Sequence, residues 1–283
     1  MAANNRYTHP NISTVKDGGY IRITKEMNYR IRIIVITVLV LSINLSGQSS
    51  TSEPVGYPGG ISLQYGMGSY ALKDNYISPE RYDGLLPYFA LGWTRTHEKY
   101  VYKLSFAFRQ GDDITNYNVS TQILSFRLSQ GFLYPLKPVK LFKRDLGLWI
   151  GPSTDIFYYD NNPNIAVSGF DYTNSYATLF SLGFRGDAIY PIAEKLSVES
   201  SLQSTILSLG TRSVDSEEGD QSGTKPLTLA SGLHASFDLG IYLDLFHWLS
   251  MGLTYKFEIT RITEWENILS STNSAIIDLR IKF

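Results

Sequence analysis

From residue 58 to the C-terminus, apolar residues alternate with small or polar ones at period two, and no stretch sustains a helical period. Period two sets successive side chains on opposite faces of a strand, so the pattern predicts β-structure with two unlike faces. Ten segments carry it. Ile61, Leu63, Tyr65 and Met67 oppose Ser62, Gln64, Gly66 and Gly68, and Phe89, Leu91 and Trp93 oppose Ala90, Gly92 and Thr94. Tyr100 to Phe108, Leu124 to Phe132 and Tyr176 to Phe184 continue the alternation. Leu146, Leu148 and Ile150 face away from Gly147, Trp149, Gly151 and Asp155, and Leu196, Val198, Leu202 and Ile206 from Glu199, Ser201, Gln203 and Thr205. An eighth segment puts Leu227, Leu229, Leu233, Phe237, Leu239, Ile241 and Leu243 on one face, a ninth runs from Leu249 to Ile259, and a tenth from Ala275 to Phe283. Most reach the ~9 to 11 residues with which a tilted strand crosses a membrane.

The connections alternate too. Residues 96–99, 191–195 and 245–248 are tight turns, whereas 73–86, 110–118, 159–175, 210–225 and 263–272 are longer and rich in Asp, Asn, Gly, Ser and Tyr. The stretch 135–144 (PLKPVKLFKR) falls on the turn side but is long and basic. Short turns at one end and long loops at the other predict an all-β, transmembrane antiparallel up-and-down β-barrel of about ten strands.

Alternation alone does not say which face points inward. A soluble lipocalin-like barrel would hold the Leu, Phe and Tyr face inside, around a ligand, and a membrane barrel would turn it to lipid. The polar face favours the membrane. It is rich in Gly, Ala and Ser, which suit a crowded interior, and it interleaves Lys103, Arg109, Arg127, Arg185, Lys256 and Arg280 with Asp187, Glu199, Asp238, Glu258 and Asp278 as a lumen charge network. Aromatics also gather at strand ends: Trp93, Tyr100, Tyr102, Phe132, Tyr134, Trp149, Tyr190, Phe246 and Trp248 near the turns, and Tyr70, Phe108, Tyr158, Tyr159, Tyr176 and Trp265 near the loops. Two such girdles belong at the two membrane interfaces. The near balance of six basic and five acidic groups fits an ionic plug that braces the barrel, with a narrow selective pore as the alternative.

One continuous apolar run, Ile33 to Ile43, is too short to span a bilayer as a helix. Arg30 and Arg32 before it and Ser46-Gly47 after it read as a secretory signal peptide with cleavage near Gln48. The expected organisation is therefore an extra segment over 1–26 that precedes the true start at Met27, a signal at 27–47, a short linker at 48–57 and a barrel over 58–283. A formal net charge of −1 gives no electrostatic reason to bind nucleic acid, and the absence of Cys removes disulfides, thiolate metal sites and Cys nucleophiles. No cofactor or metal is expected.

The signal, the ten alternating segments and a final strand Ala275-Ile-Ile-Asp-Leu-Arg-Ile-Lys-Phe283 together resemble a bacterial outer-membrane β-barrel protein. The Gln48 start is similar to signal exits of Bacteroidetes-type envelope proteins. The resemblance implies an outer-membrane location, Phe283 as an assembly signal read by the barrel-assembly machinery, and contact with outer-membrane lipid and lipopolysaccharide. It leaves any loop-bound partner unidentified.

Candidate chemistry is thin. His234 and Ser236 lie two apart on one face, as in outer-membrane acyl hydrolases, but on the polar face and with no orienting third group evident. An omptin-like protease would need a His at the loop rim, and His97 and His247 fall in turns at the other end, leaving Asp112-Asp113 as a solvated pair. Asp215-Ser-Glu-Glu-Gly-Asp220 lacks the ordered ligand spacing of a Ca²⁺ loop, and Gly66-Met-Gly68 lies inside a strand and is no phosphate loop. The expected function is a non-catalytic barrel, structural, surface-interacting or a narrow channel. A lipid- or peptide-directed hydrolase and an accessory barrel of a secretion or surface-assembly system are the alternatives.

Overall fold

The computed structural model describes residues 56–283 apart from 78–79, 117–118, 143, 165–173, 215–221 and 266. The expected signal peptide, the segment before it and the acidic stretch 215–220 lie outside the described residues.

Twelve strands follow one another: β1 (Gly60–Asp74), β2 (Tyr82–Thr96), β3 (Val101–Asn116), β4 (Val119–Pro135), β5 (Val139–Leu141), β6 (Arg144–Asn164), β7 (Ser175–Ala193), β8 (Leu196–Val214), β9 (Gly223–Thr228), β10 (Gly232–Phe246), β11 (Leu249–Ile262) and β12 (Ile268–Lys282). Ten of them form a closed antiparallel transmembrane barrel, each paired with its neighbours in the chain. The seam joins β1 to β12 without a slip, from Gly60 opposite Lys282 to Asp74 opposite Ile268. Closure leaves no sheet edge and pairs the backbone polar groups between strands, which lipid requires because it offers them no hydrogen bonds. β5 pairs only with the start of β6, and β9 pairs with β8 beyond the point where β10 leaves it.

The apolar face turns outward. Leu63 is 57% exposed and Leu253 65%, while Gln203, Glu258 and Asp278 on the opposite face are buried. Surface of this kind, a continuous apolar belt around a charged interior, is stable against hydrocarbon and not against water.

Four expectations are corrected. The strands are longer at the loop end than the sequence suggests: β3 runs through Asp112 to Asn116, and β12 starts at Ile268. Thr, Tyr and Asn keep β geometry there, so the wall continues past the apolar belt. The loop-end girdle is thinner than expected, because Tyr70, Tyr159 and Trp265 are buried inside, as is Trp149 at the turn end. Third, the eighth segment is not one strand. Thr228 lies opposite Leu207 and Ala235 opposite Ser204, so seven steps on one side match three on the other, and the chain turns at 229–231 between β9 and β10. The odd spacing from Leu227 to Gly232 across that turn resets the alternation: both face inward, and Leu227, expected outward, is 1% exposed. Finally, β8 carries a bulge at the same height, where Gly183 pairs Thr205 and Leu182 pairs Leu207, leaving Ile206 extra. Ile206 and Leu207 both point out, and the inward phase moves from Gln203 and Thr205 to Ser208 and Arg212.

Candidate functional site

The inward phase of the strands fills the lumen with three layers. At the loop end an apolar layer gathers Leu72 of β1, Tyr82 and Leu86 of β2, Ile114 of β3, Ile123 of β4, Phe157 and Tyr159 of β6, Leu179 of β7, Leu227 of β9, Ile262 of β11 and Ile268 of β12. Within this end Arg212 of β8 donates to Asp74 of β1 at 2.9 Å, both side chains wholly buried, and the Tyr159 hydroxyl also reaches Asp74.

The middle layer is ionic. Glu258 of β11 accepts from Arg109 of β3 and, at 3.2 Å, from Arg127 of β4. Arg127 also donates to Asp155 of β6 at 2.7 Å, and Asp155 accepts a second bond from Gln203 of β8 at 2.5 Å. Lys256 bonds Asp238 on the neighbouring strand at 2.9 Å, and Ser201 donates to the other oxygen of Asp238. The guanidinium of Arg109 lies over the Tyr88 ring, 4.6 Å from its centroid. Each charge thus meets an opposite charge, the condition under which buried ions are tolerated.

The third layer closes toward the turns. Asp187 of β7 accepts from Lys103 at 2.9 Å, Arg185 at 2.8 Å and the Tyr57 hydroxyl at 2.5 Å. Arg280 of β12 holds Glu199 of β8 through both carboxylate oxygens at 3.0 and 3.1 Å and stacks over Tyr242. Asp278 accepts from Tyr242 at 2.9 Å and Gln64 at 3.0 Å. Tyr242 fits because Gly240 and Gly252 flank it, and a Cβ at either would overlap its ring. Between the second and third layers lies a polar cavity of about 120 Å³ bordered by Ser62, Gln64, Ser105 and Lys256. A second cavity of about 210 Å³ opens at the turn-end mouth among Pro58, Lys195, Asp244 and Lys282, and Glu199, Tyr242 and Arg280 line both.

All eleven charged residues expected in the lumen face it, and every one has an ion-pair partner. The sequence reading missed Asp74, Asp155, Arg212, Gln203 and Tyr57 as members. Asp155 was visible on the inward phase of its segment. Arg212 was hidden by the bulge at Ile206, and Asp74 by its place in an expected loop. Tyr57 precedes the first strand, where no periodicity points to the lumen.

The other candidates are not assembled into chemistry. The His234 ring bonds Thr260 at 2.7 Å through Nδ1 and stacks on Phe157, while Ser236 accepts from Arg127 at 3.2 Å. His234 and Ser236 are not hydrogen-bonded to each other, and both lie inside the barrel. Asp112 accepts from Gln122 on β4 at 2.8 Å, and the side chain of Asp113 lies outside the described residues. His97 stacks on Tyr100 and His247 sits in the β10–β11 turn, both at the turn end. Among the described residues, no group of three His, Asp or Glu side chains is placed to hold a metal ion. Phe283 follows β12, outward-facing and 74% exposed.

No known family model and no curated protein matches the chain. Among solved structures it is similar to the outer membrane protease OmpT of Escherichia coli, with a TM-score of 0.50 and 8% identity over 83% of this chain and 100% of that one. It also resembles the translocator domain of the autotransporter NalP of Neisseria meningitidis (TM-score 0.44, 12% identity, 92% of this chain and 98% of that one). A third likeness is to Ail, the attachment invasion locus protein of Yersinia pestis (TM-score 0.32, 10% identity, 80% of this chain and 100% of that one). At 8% identity, what this chain shares with OmpT is the barrel fold.

Proposed function

We propose that this protein is an integral outer-membrane barrel that works with its lumen closed, as a structural or surface-presenting element. The carrying observation is the apolar layer across the loop end, stacked on a lumen whose charges are matched to one another. An ion entering from the loop side would have to part Leu72, Ile114, Ile123 and Leu227, then break ion pairs that are mostly buried. In this orientation the tight turns face the periplasm, the long connections face outward, and Phe283 is available to the assembly machinery. The outer belt rests against lipid and lipopolysaccharide.

A planar-bilayer recording of refolded protein tests the reading. The expected result is no steady current under an applied potential, and a stable ohmic conductance in the wild type would overturn it.

The two cavities, which share Arg280 and Glu199 in their walls, favour a second reading, a narrow channel for small solutes that conducts only in another state of the lumen. The hydrolase alternative has less support, because His234 and Ser236 are each engaged by other partners inside the barrel.

A further inference from the structure

We propose that the hairpin made by β5 and the start of β6 is a docking element for anionic phospholipid headgroups in the leaflet on the turn side. The inference rests on the membrane orientation given above and on nothing about the lumen.

The chain leaves the barrel wall after Pro135, whose last partner on β6 is Trp149. The Leu136 amide still donates to Leu148, and Val139–Leu141 then pairs with Leu146–Arg144 so that the sheet projects beyond the rim. The Tyr190 hydroxyl ties it back through the Leu141 carbonyl at 3.0 Å. The other connections at this end, at 97–100, 194–195 and 247–248, are tight turns and carry no such projection.

Two properties point to lipid. The outward belt of β4, Phe132 and Tyr134, continues directly into exposed Leu136, and Phe142 at the hairpin tip is 84% exposed. Phe142 also holds a φ of 47°, a left-handed conformation that Gly or Asn adopts easily in a two-residue turn and a bulky side chain does not. An aromatic kept there against local preference and against water is stabilised by an apolar environment at that height. Around it, Lys137, Lys140 and Arg144 are exposed, and among the described residues none forms an ion pair. The chain as a whole carries −1, so this positive cluster is local. Aromatic and basic residues together at the edge of an apolar belt match the level where rings settle among headgroups and cations meet lipid phosphates.

The chain has no Cys, so Phe142→Cys creates a single labelling site. Labelled with nitrobenzoxadiazole and refolded into phosphatidylcholine vesicles with or without phosphatidylglycerol, it is read by emission and by quenching with brominated lipid. Blue-shifted, quenched emission is expected in the anionic vesicles, weakening with added salt and on introducing K137E, K140E and R144E. Because the label replaces the ring, unlabelled protein is measured as well. Each basic residue near a charged surface contributes roughly fivefold in partitioning, so the triple reversal should slow insertion into anionic vesicles at least severalfold and leave insertion into neutral ones unchanged. Equal slowing in both, or emission indifferent to lipid charge, would overturn the proposal. Failure of the chain to insert into either vesicle would instead overturn the membrane orientation.

Discussion

The Tyr57 hydroxyl lies 2.5 Å from Asp187 Oδ2, across 130 residues of sequence, and it accepts from Lys103 Nζ, which reaches the same carboxylate oxygen directly. The Thr96 hydroxyl holds the Tyr57 carbonyl at 2.9 Å, and the Tyr57 ring meets Trp149 edge-on. The segment before β1 is thereby drawn into the mouth of the barrel, and Asp187 becomes the point where Lys103, Arg185 and Tyr57 converge.

Tyr57→Phe removes a hydrogen bond to a charged acceptor and keeps the ring, so it should lower stability by about 1.5 to 3 kcal/mol. Tyr57→Ala also empties the contact with Trp149 and should cost more. Urea titrations of refolded protein, followed by heat-modifiable gel migration, give the order. A Tyr57→Phe midpoint equal to the wild type would mean that the hydroxyl has water as its partner.

Arg212 and Asp74 offer a cleaner pair, since both side chains are fully buried. Arg212→Met strands a carboxylate beside the apolar layer and should destabilise by roughly 3 to 5 kcal/mol. Adding Asp74→Leu removes the stranded charge and should recover most of that loss. Additive losses in the double variant would show that the two charges are independent.

Leu63 and Ser62 are consecutive on β1 and face opposite ways, Leu63 at the middle of the outward belt and Ser62 at the inner cavity. Leu63→Arg should cost about 2 to 4 kcal/mol of folding into vesicles, as expected for Arg near the bilayer midplane. Ser62→Arg meets polar surroundings and should cost less. The reverse ranking would require the apolar face to point inward, as in a soluble ligand-binding barrel.

Deleting Phe283 tests the assembly signal. The expected outcome is protein that accumulates protease-sensitive in cells yet still folds in vitro, because the Phe283 side chain is outside the β12 ladder. Normal cellular assembly of the deletion would remove Phe283 from that role.

Most of the wall was legible because the inside and outside of a barrel differ at every residue. Gly66 and Gly68 announce the phase that also carries Tyr70 inward, and Gly147 and Gly151 do the same for Trp149. The aromatics misassigned to girdles were therefore readable from their phase. What could not be read were events that change phase. The turn at 229–231 and the extra Ile206 each invert the local phase, and nothing in composition distinguishes Leu227 from Leu239. Pairings across the lumen, such as Arg109 with Glu258, were equally hidden, since period two fixes a residue's face and says nothing of which strand stands opposite.

The matched charges also constrain how the chain can reach its native state. Arg109 and Arg127 come from the first half of the barrel, and Glu258, which they share, arrives on its penultimate strand. Glu199 on β8 likewise waits for Arg280 on the last strand, 81 residues later. A wall still lacking its final hairpin therefore holds an unneutralised Arg109 guanidinium and an unneutralised Glu199 carboxylate facing a space that lipid could fill, while Arg127 keeps Asp155. Such an intermediate has little to hold it, so insertion and closure are joined in one cooperative event that completes only when the final hairpin is in place.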